Sequence, residues 1–307
     1  MELHRPTGRR SLGFALAATT MLLWGVLPLG LQLVLESLDA VTITWFRFGF
    51  SSGVLVVWLG GSGALPALGT LSRSGWALLA LATVGLAANY LTYLVGLDLT
   101  SAASSQVLIQ MAPLLLALGG LVVFGERFTR LQWTGFAVLV IGLALFFVSQ
   151  LAVLIEGLDR YLTGAGMLAI AAVTWAAYGL AQKQLLRTLS PQGIMLCIYL
   201  GCFVCFSPGA EPSALADLDG VGWGALLFCA ANTLVAYGAF AAALEHWEAS
   251  RVSAVLSITP LATLAFASLG SVWIPVWVQT EHLSPASLVG AFAVVGGSLL
   301  VSLAGRD

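Results

Sequence analysis

The sequence predicts an all-α polytopic membrane protein, with ten transmembrane helices arranged as two inverted five-helix repeats around a central cavity. Three observations lead there. Of 307 residues, 59% are hydrophobic and only 8% charged, whereas a soluble domain carries roughly a quarter charged residues and needs them to face water. Basic residues fall almost entirely on alternate connections between apolar stretches. Positions in the second half of the chain also repeat positions in the first at a constant spacing.

A helix that crosses a bilayer needs about 20 mostly apolar residues. Read between charges and turn residues, the chain offers ten such stretches: 12–35, 41–59, 75–97, 101–124, 131–149, 163–185, 190–206, 220–244, 249–275 and 285–303. Their connections are short and leave no room for a soluble domain. The 34 glycines suit close helix packing, and the 10 tryptophans suit the membrane interfaces. Arg5, Arg9 and Arg10 lead directly into the first stretch. That stretch is too long for the core of a signal peptide and is expected to persist as the first helix. Cys202 and Cys205 have a CxxC spacing, but like Cys197 and Cys229 they sit in apolar runs without a second ligand pair. They read as small apolar helix residues. No cofactor or metal set is indicated, and a net charge of −2 gives no footing for nucleic acid.

The basic residues fix an orientation. With the N-terminus cytoplasmic, Arg5, Arg9, Arg10, Arg73, Arg127, Arg130, Lys183, Arg187, Arg251 and Arg306 are all inside. Only Arg160 is outside, and Arg47 falls within the second helix. The positive-inside rule asks for this distribution, and one span too many or too few would scramble it. Both termini are then cytoplasmic, in an inner membrane.

The internal repeat gives the architecture. Gly75-Trp76 matches Gly222-Trp223, Tyr90 matches Tyr237, Leu97-Asp98 matches Leu244-Glu245, and Pro113 matches Pro260, all at an offset of 147 without a gap. Trp24 matches Trp175, and Glu126 and Gly135 match Glu281 and Gly290, at slightly larger offsets. Residues 1–150 and 151–307 each hold five stretches, and an odd number turns the second copy upside down. Many secondary transporters are built this way, with the solute site near the midplane between the repeats.

The residues that mark these copies resemble the drug/metabolite transporter superfamily, and within it the EamA-type exporters. The first stretch carries Leu23-Trp24-Gly25, the second Arg47-Phe48, and the fourth runs from Ala103 to Pro113 and ends near Gly125-Glu126-Arg127-Phe128-Thr129. The fifth opens Gln132-Trp133-Thr134-Gly135. The second half matches more loosely, with extra residues from Ser271 to Thr280 before Glu281. Among such exporters the chain is most similar to bacterial aromatic amino acid exporters of the YddG type. The resemblance implies a basket of ten helices around a central cavity, alternating access, and export of amino acids, aromatic or other neutral ones.

Polar side chains are costly inside a membrane and so become candidates for the solute site. Gln106 and Gln110 lie four apart on one face of the fourth helix, and Ser253 and Ser257 are their counterparts on the ninth. Each pair precedes a proline, Pro113 or Pro260, which bends a helix and frees a carbonyl. Tyr90 and Tyr93 share a face of the third helix beside Asn89, Tyr237 is the counterpart of Tyr90, and Trp175 and Tyr178 share a face of the sixth with Trp24 as equivalent. An aromatic pocket with a few polar groups suits an amphipathic or aromatic solute. Packing within the bundle would explain the same residues. Arg47 is the one firmly intramembrane charge, placed to meet a solute carboxylate, to anchor helix packing or to snorkel to an interface.

No Asp or Glu sits in mid-helix, which favours facilitated or exchange transport over a carboxylate proton relay. No G-x-x-x-x-G-K-[ST] motif is present for ATP hydrolysis. His4 is in the N-terminal tail, and His246 and His282 lie at predicted opposite faces, which argues against a paired-His site of a membrane-embedded enzyme. Rival readings are an exporter of another small metabolite or drug, and a passive channel. The expected partners are the bilayer and a small solute, with the protein a monomer.

Overall fold

The computed structural model describes residues 7–124, 129–153, 157–247, 249–273 and 284–303. Gly125 to Phe128, Glu156, Glu248, and residues 274–283 with Glu281 and His282 lie outside the described residues, as do His4, Arg5 and Arg306 at the ends.

The described elements are helical throughout. Twelve α-helices follow one another: α1 (Arg10–Leu35), α2 (Ala40–Gly61), α3 (Arg73–Leu99), α4 (Ala102–Leu108), α5 (Met111–Phe124), α6 (Arg130–Val153), α7 (Leu158–Leu185), α8 (Pro191–Phe206), α9 (Gly220–His246), α10 (Ala249–Leu256), α11 (Thr259–Trp273) and α12 (Pro285–Leu303). Seven of these are long and apolar enough to cross a membrane: α1, α2, α3, α6, α7, α8 and α9. The chain is a polytopic membrane protein.

Side-chain caps start the helices where the sequence changes from polar to apolar. Asp39 accepts from the Val41 and Thr42 N–H groups, Ser72 from Gly75, Ser101 from Ser104, Ser190 from Gly193, and Asp219 from Gly222. Each supplies an acceptor to first-turn donors that have no partner inside the helix.

Two expected helices are each broken in two. The 101–124 stretch becomes α4 and α5, and the 249–275 stretch becomes α10 and α11. The cause lies one turn downstream. Proline lacks an N–H and its ring crowds the carbonyl four residues earlier; for Pro113 that carbonyl is Ile109, and for Pro260 it is Leu256. Both freed carbonyls find new donors. The Ala112 N–H donates to Ile109 O at 2.8 Å, and the Thr259 hydroxyl donates to Leu256 O at 2.6 Å.

The packing interlocks the two halves. Helix α1 packs chiefly on α9 and α11, while α7 packs on α3 and α5. Each pair is also bonded side chain to backbone: Asn89 Nδ2 on α3 donates to Ala171 O on α7, and Thr20 Oγ1 on α1 donates to Ala236 O on α9. Helix α2 lies against α8. Helices α6 and α12 form the closest contact, backbone against backbone. A Cβ placed on Gly135 would stand 2.7 Å from Gly297 O, and one placed on Gly290 would stand 2.7 Å from Phe146 N. Only glycine permits that approach, which is how helices associate where no hydrophobic force drives them together.

Candidate functional site

Between the halves lies a cavity of about 720 Å³, its open mouth included, walled by residues from α1 to α5, α7 and α9 to α11. Nine of the twelve residues singled out from the sequence line it: Trp24, Arg47, Asn89, Tyr90, Tyr93, Gln106, Gln110, Trp175 and Tyr237. Tyr178, Ser253 and Ser257 are outside the lining. Tyr178 is buried and donates to Met195 Sδ at 3.5 Å on α8. Ser257 is fully buried in the α10–α11 break. The Ser257 N–H still donates to Ser253 O at 2.9 Å, so the two serines remain one helical turn apart, on a side of α10 that does not line the cavity. Leu256 and Thr259 reach the cavity in place of the two serines.

Aromatic rings of the lining form a row, with Phe48 packed behind it against Tyr90. Phe48 lies 4.5 Å from Tyr90 between ring centroids, Tyr90 lies 5.6 Å from Tyr237, Tyr237 lies 5.0 Å from Trp24, and Trp24 lies 6.2 Å from Trp175. The two tryptophans meet edge to face, the favoured arrangement for rings with negative faces and positive edges. This row crosses from α3 to α9, α1 and α7, so it joins both halves. Leu27, Leu31 and Leu94 extend the apolar wall. These leucines carried no sequence signal that separates them from other leucines in the bundle.

Gln106 reveals why α1 needs a polar neighbour. Pro28 lies inside α1 and leaves the Trp24 carbonyl without its intrahelical donor. Gln106 Nε2 donates to that carbonyl at 3.1 Å and to Tyr93 Oη at 3.2 Å. Neighbouring carbonyls are held too: Asn232 Nδ2 donates to Leu23 O and Thr263 Oγ1 to Gly25 O. Three successive carbonyls of the Leu23-Trp24-Gly25 segment are thus tied to α9, α4 and α11. Gln110, in the break itself, keeps its Oε1 buried without a hydrogen-bond partner.

Arg47 is 1% exposed. Its Nε donates to Thr233 Oγ1 at 2.9 Å, and its guanidinium carbon stands 4.6 Å from the centre of the Tyr90 ring. Such a cation–π contact stabilises a buried guanidinium, but neither partner carries negative charge. Among the described residues the ion pair seen is Arg160 with Asp98, at 3.8 Å on the exposed surface.

The EamA-like transporter family matches the chain twice, over residues 11–148 and 162–303. An uncharacterized transporter of Haemophilus influenzae is 34% identical over 95% of this chain and 95% of its own length. The uncharacterized inner membrane transporter YhbE of Escherichia coli is 35% identical over 96% of this chain and 92% of its own. A solved crystal structure with 18% identity superposes at a TM-score of 0.67 and covers 96% of this chain and 97% of that one, which shows a shared fold. The chain belongs to the EamA-like transporter family.

Proposed function

We propose that the protein is a secondary transporter that exports amino acids, aromatic or other neutral ones, across the inner membrane by alternating access. The observation that carries this reading is the cavity between the halves, lined by Tyr90, Tyr237, Trp24 and Trp175 and by Arg47, Asn89, Gln106 and Gln110. Stacking on rings and hydrogen bonding to a few fixed polar groups is how an amphipathic solute is held.

The ten-span reading joins α4 to α5 and α10 to α11, each pair as one broken span. Two inverted five-helix repeats, 1–150 and 151–307, then follow. The twofold family match and the exchange of α1 and α7 between halves support it. So does the meeting of segments expected on one side. Thr7 Oγ1 lies 2.9 Å from His246 Nδ1, and Arg160 reaches Asp98. Both termini are then cytoplasmic, and the unit is a monomer. Discontinuous helices at a midplane site are the usual means of rocking one repeat against the other. The described lining contains no carboxylate to relay protons, so the transport is facilitative or an exchange.

Counterflow in proteoliposomes tests the reading. Vesicles loaded with unlabelled phenylalanine are expected to take up labelled phenylalanine or tryptophan saturably, and unloaded vesicles are not. Gln110→Ala, in the α4–α5 break, is expected to lower that uptake about tenfold with folding intact. Uptake that neither saturates nor depends on the internal load would identify a channel and refute a carrier. Uptake driven steeply by an imposed proton gradient would refute facilitation.

A further inference from the structure

The cavity holds a positive charge with no negative partner among the described residues. Buried charges in proteins are paired, because an isolated one in a low-dielectric interior is costly. Arg47 meets the neutral Thr233 hydroxyl and the Tyr90 ring. Every other polar side chain of the lining, Asn89, Tyr93, Gln106, Gln110 and Thr259 among them, is neutral as well. The missing countercharge therefore has to come from what the cavity holds.

The hydrogen-bonding groups lean the same way. Trp24 Nε1 is buried without a partner, and a tryptophan N–H can only donate. Gln110 Oε1 and Tyr90 Oη are also unpartnered in the lining; the amide oxygen can only accept, and the hydroxyl can donate or accept. A carboxylate can accept from several donors at once, the indole N–H and the guanidinium included. An ammonium brings a second positive charge beside Arg47, and the oxygens the lining offers it, Gln110 Oε1 and Tyr90 Oη among them, are all neutral. The aromatic row leads away from Arg47, starting at Tyr90 and ending at Trp175, and gives an apolar tail a surface to stack on.

We propose that the cavity selects by charge: it holds the carboxylate of the amino acids it transports, and binds an apolar monocarboxylate lacking the ammonium group, such as an arylalkanoic or 2-oxo acid, more tightly than the amino acid of the same skeleton. Arg47 is the residue that sets this order. The proposal rests on the reading of this cavity as the solute site and adds the charge of the solute. A monoanion neutralises Arg47; a zwitterion neutralises it and then buries a new cation; an amine doubles the charge.

A series on one carbon skeleton tests it: 3-phenylpropionate, its uncharged amide, phenylalanine and phenethylamine. Binding to the full-length protein in detergent is followed by calorimetry and by intrinsic tryptophan fluorescence. The expected order is 3-phenylpropionate tightest, by about tenfold or more over phenylalanine, with phenethylamine weakest. Arg47→Gln is expected to remove the preference for 3-phenylpropionate over its amide, and Arg47→Lys to restore part of it. Should Arg47→Gln not fold, the wild-type order alone decides. Phenylalanine binding as tightly as 3-phenylpropionate would overturn the charge proposal and leave the cavity standing as the solute site. Failure of every member to bind folded protein would overturn both.

Discussion

Replacing Gly297 by Ala is expected to destabilise the folded protein by about 1–3 kcal/mol or more, while Gly296→Ala next to it is expected to be neutral within about 0.5 kcal/mol. A Cβ at Gly297 would run into the Leu139 backbone N, Gly135 O and Leu139 Cα. None of these can rotate aside, so α6 and α12 would have to separate along the line where they meet most closely. At Gly296 a Cβ meets nothing within 4 Å, and alanine is the better helix former. The two substitutions differ by one position and not in chemistry, so lipid, detergent and expression effects cancel. Thermal unfolding in one detergent, read with size-exclusion profiles, compares them. Equal loss at both positions would show that the α6–α12 contact is not what holds these helices.

Removing the Gln106 amide comes second. Gln106→Leu is expected to cost about 1–2 kcal/mol, since it strands the Trp24 carbonyl and the Tyr93 hydroxyl in the interior. Pro28 creates the need for that amide. In a Pro28→Ala background the restored N–H serves the Trp24 carbonyl from within α1, and Gln106→Leu is then expected to cost about 1 kcal/mol less. The four proteins form a double-mutant cycle measured by unfolding. A cost that is the same with and without the proline would mean Gln106 acts through Tyr93 or through packing, and not through the proline-freed carbonyl.

Much of the fold was legible in the sequence, for reasons that particular residues make plain. Membrane spans advertise themselves, because every carbonyl and N–H must be satisfied inside the segment and so long apolar runs are helices. The caps at Asp39, Ser72, Ser101, Ser190 and Asp219 stand where the apolar runs begin. Ring-bearing residues at helical spacing, Tyr90 with Tyr93 and Trp24 with its repeat partner Trp175, did lead to the cavity wall. The breaks were not legible. Pro113 and Pro260 signalled a bend, but whether a helix bends or parts depends on where the freed carbonyl finds a donor. Pro28 leaves α1 continuous while the other two divide their segments. Ser253 and Ser257 keep their helical spacing, with the Ser257 N–H on Ser253 O at 2.9 Å, and lie outside the lining. Thr259, which takes up the Leu256 carbonyl and lines the cavity, was hidden because its place depends on where the α10–α11 break falls.

The exchange of α1 and α7 between halves sets a schedule for synthesis. Thr20 meets its acceptor at Ala236, 216 residues later in the chain. At translation rates of about 5–20 residues per second, α1 sits in the membrane for roughly 10–40 s before α9 exists. Within that interval Thr20 has the Leu16 carbonyl of its own helix, while the Trp24 carbonyl, opened by Pro28, waits for Gln106 on α4. Helix α7 has no such wait, because α3 and α5 are already in place when it emerges. The two halves, alike in their finished packing, are assembled in opposite circumstances, and the first helix is the one most exposed to misassembly while the ribosome is still at work.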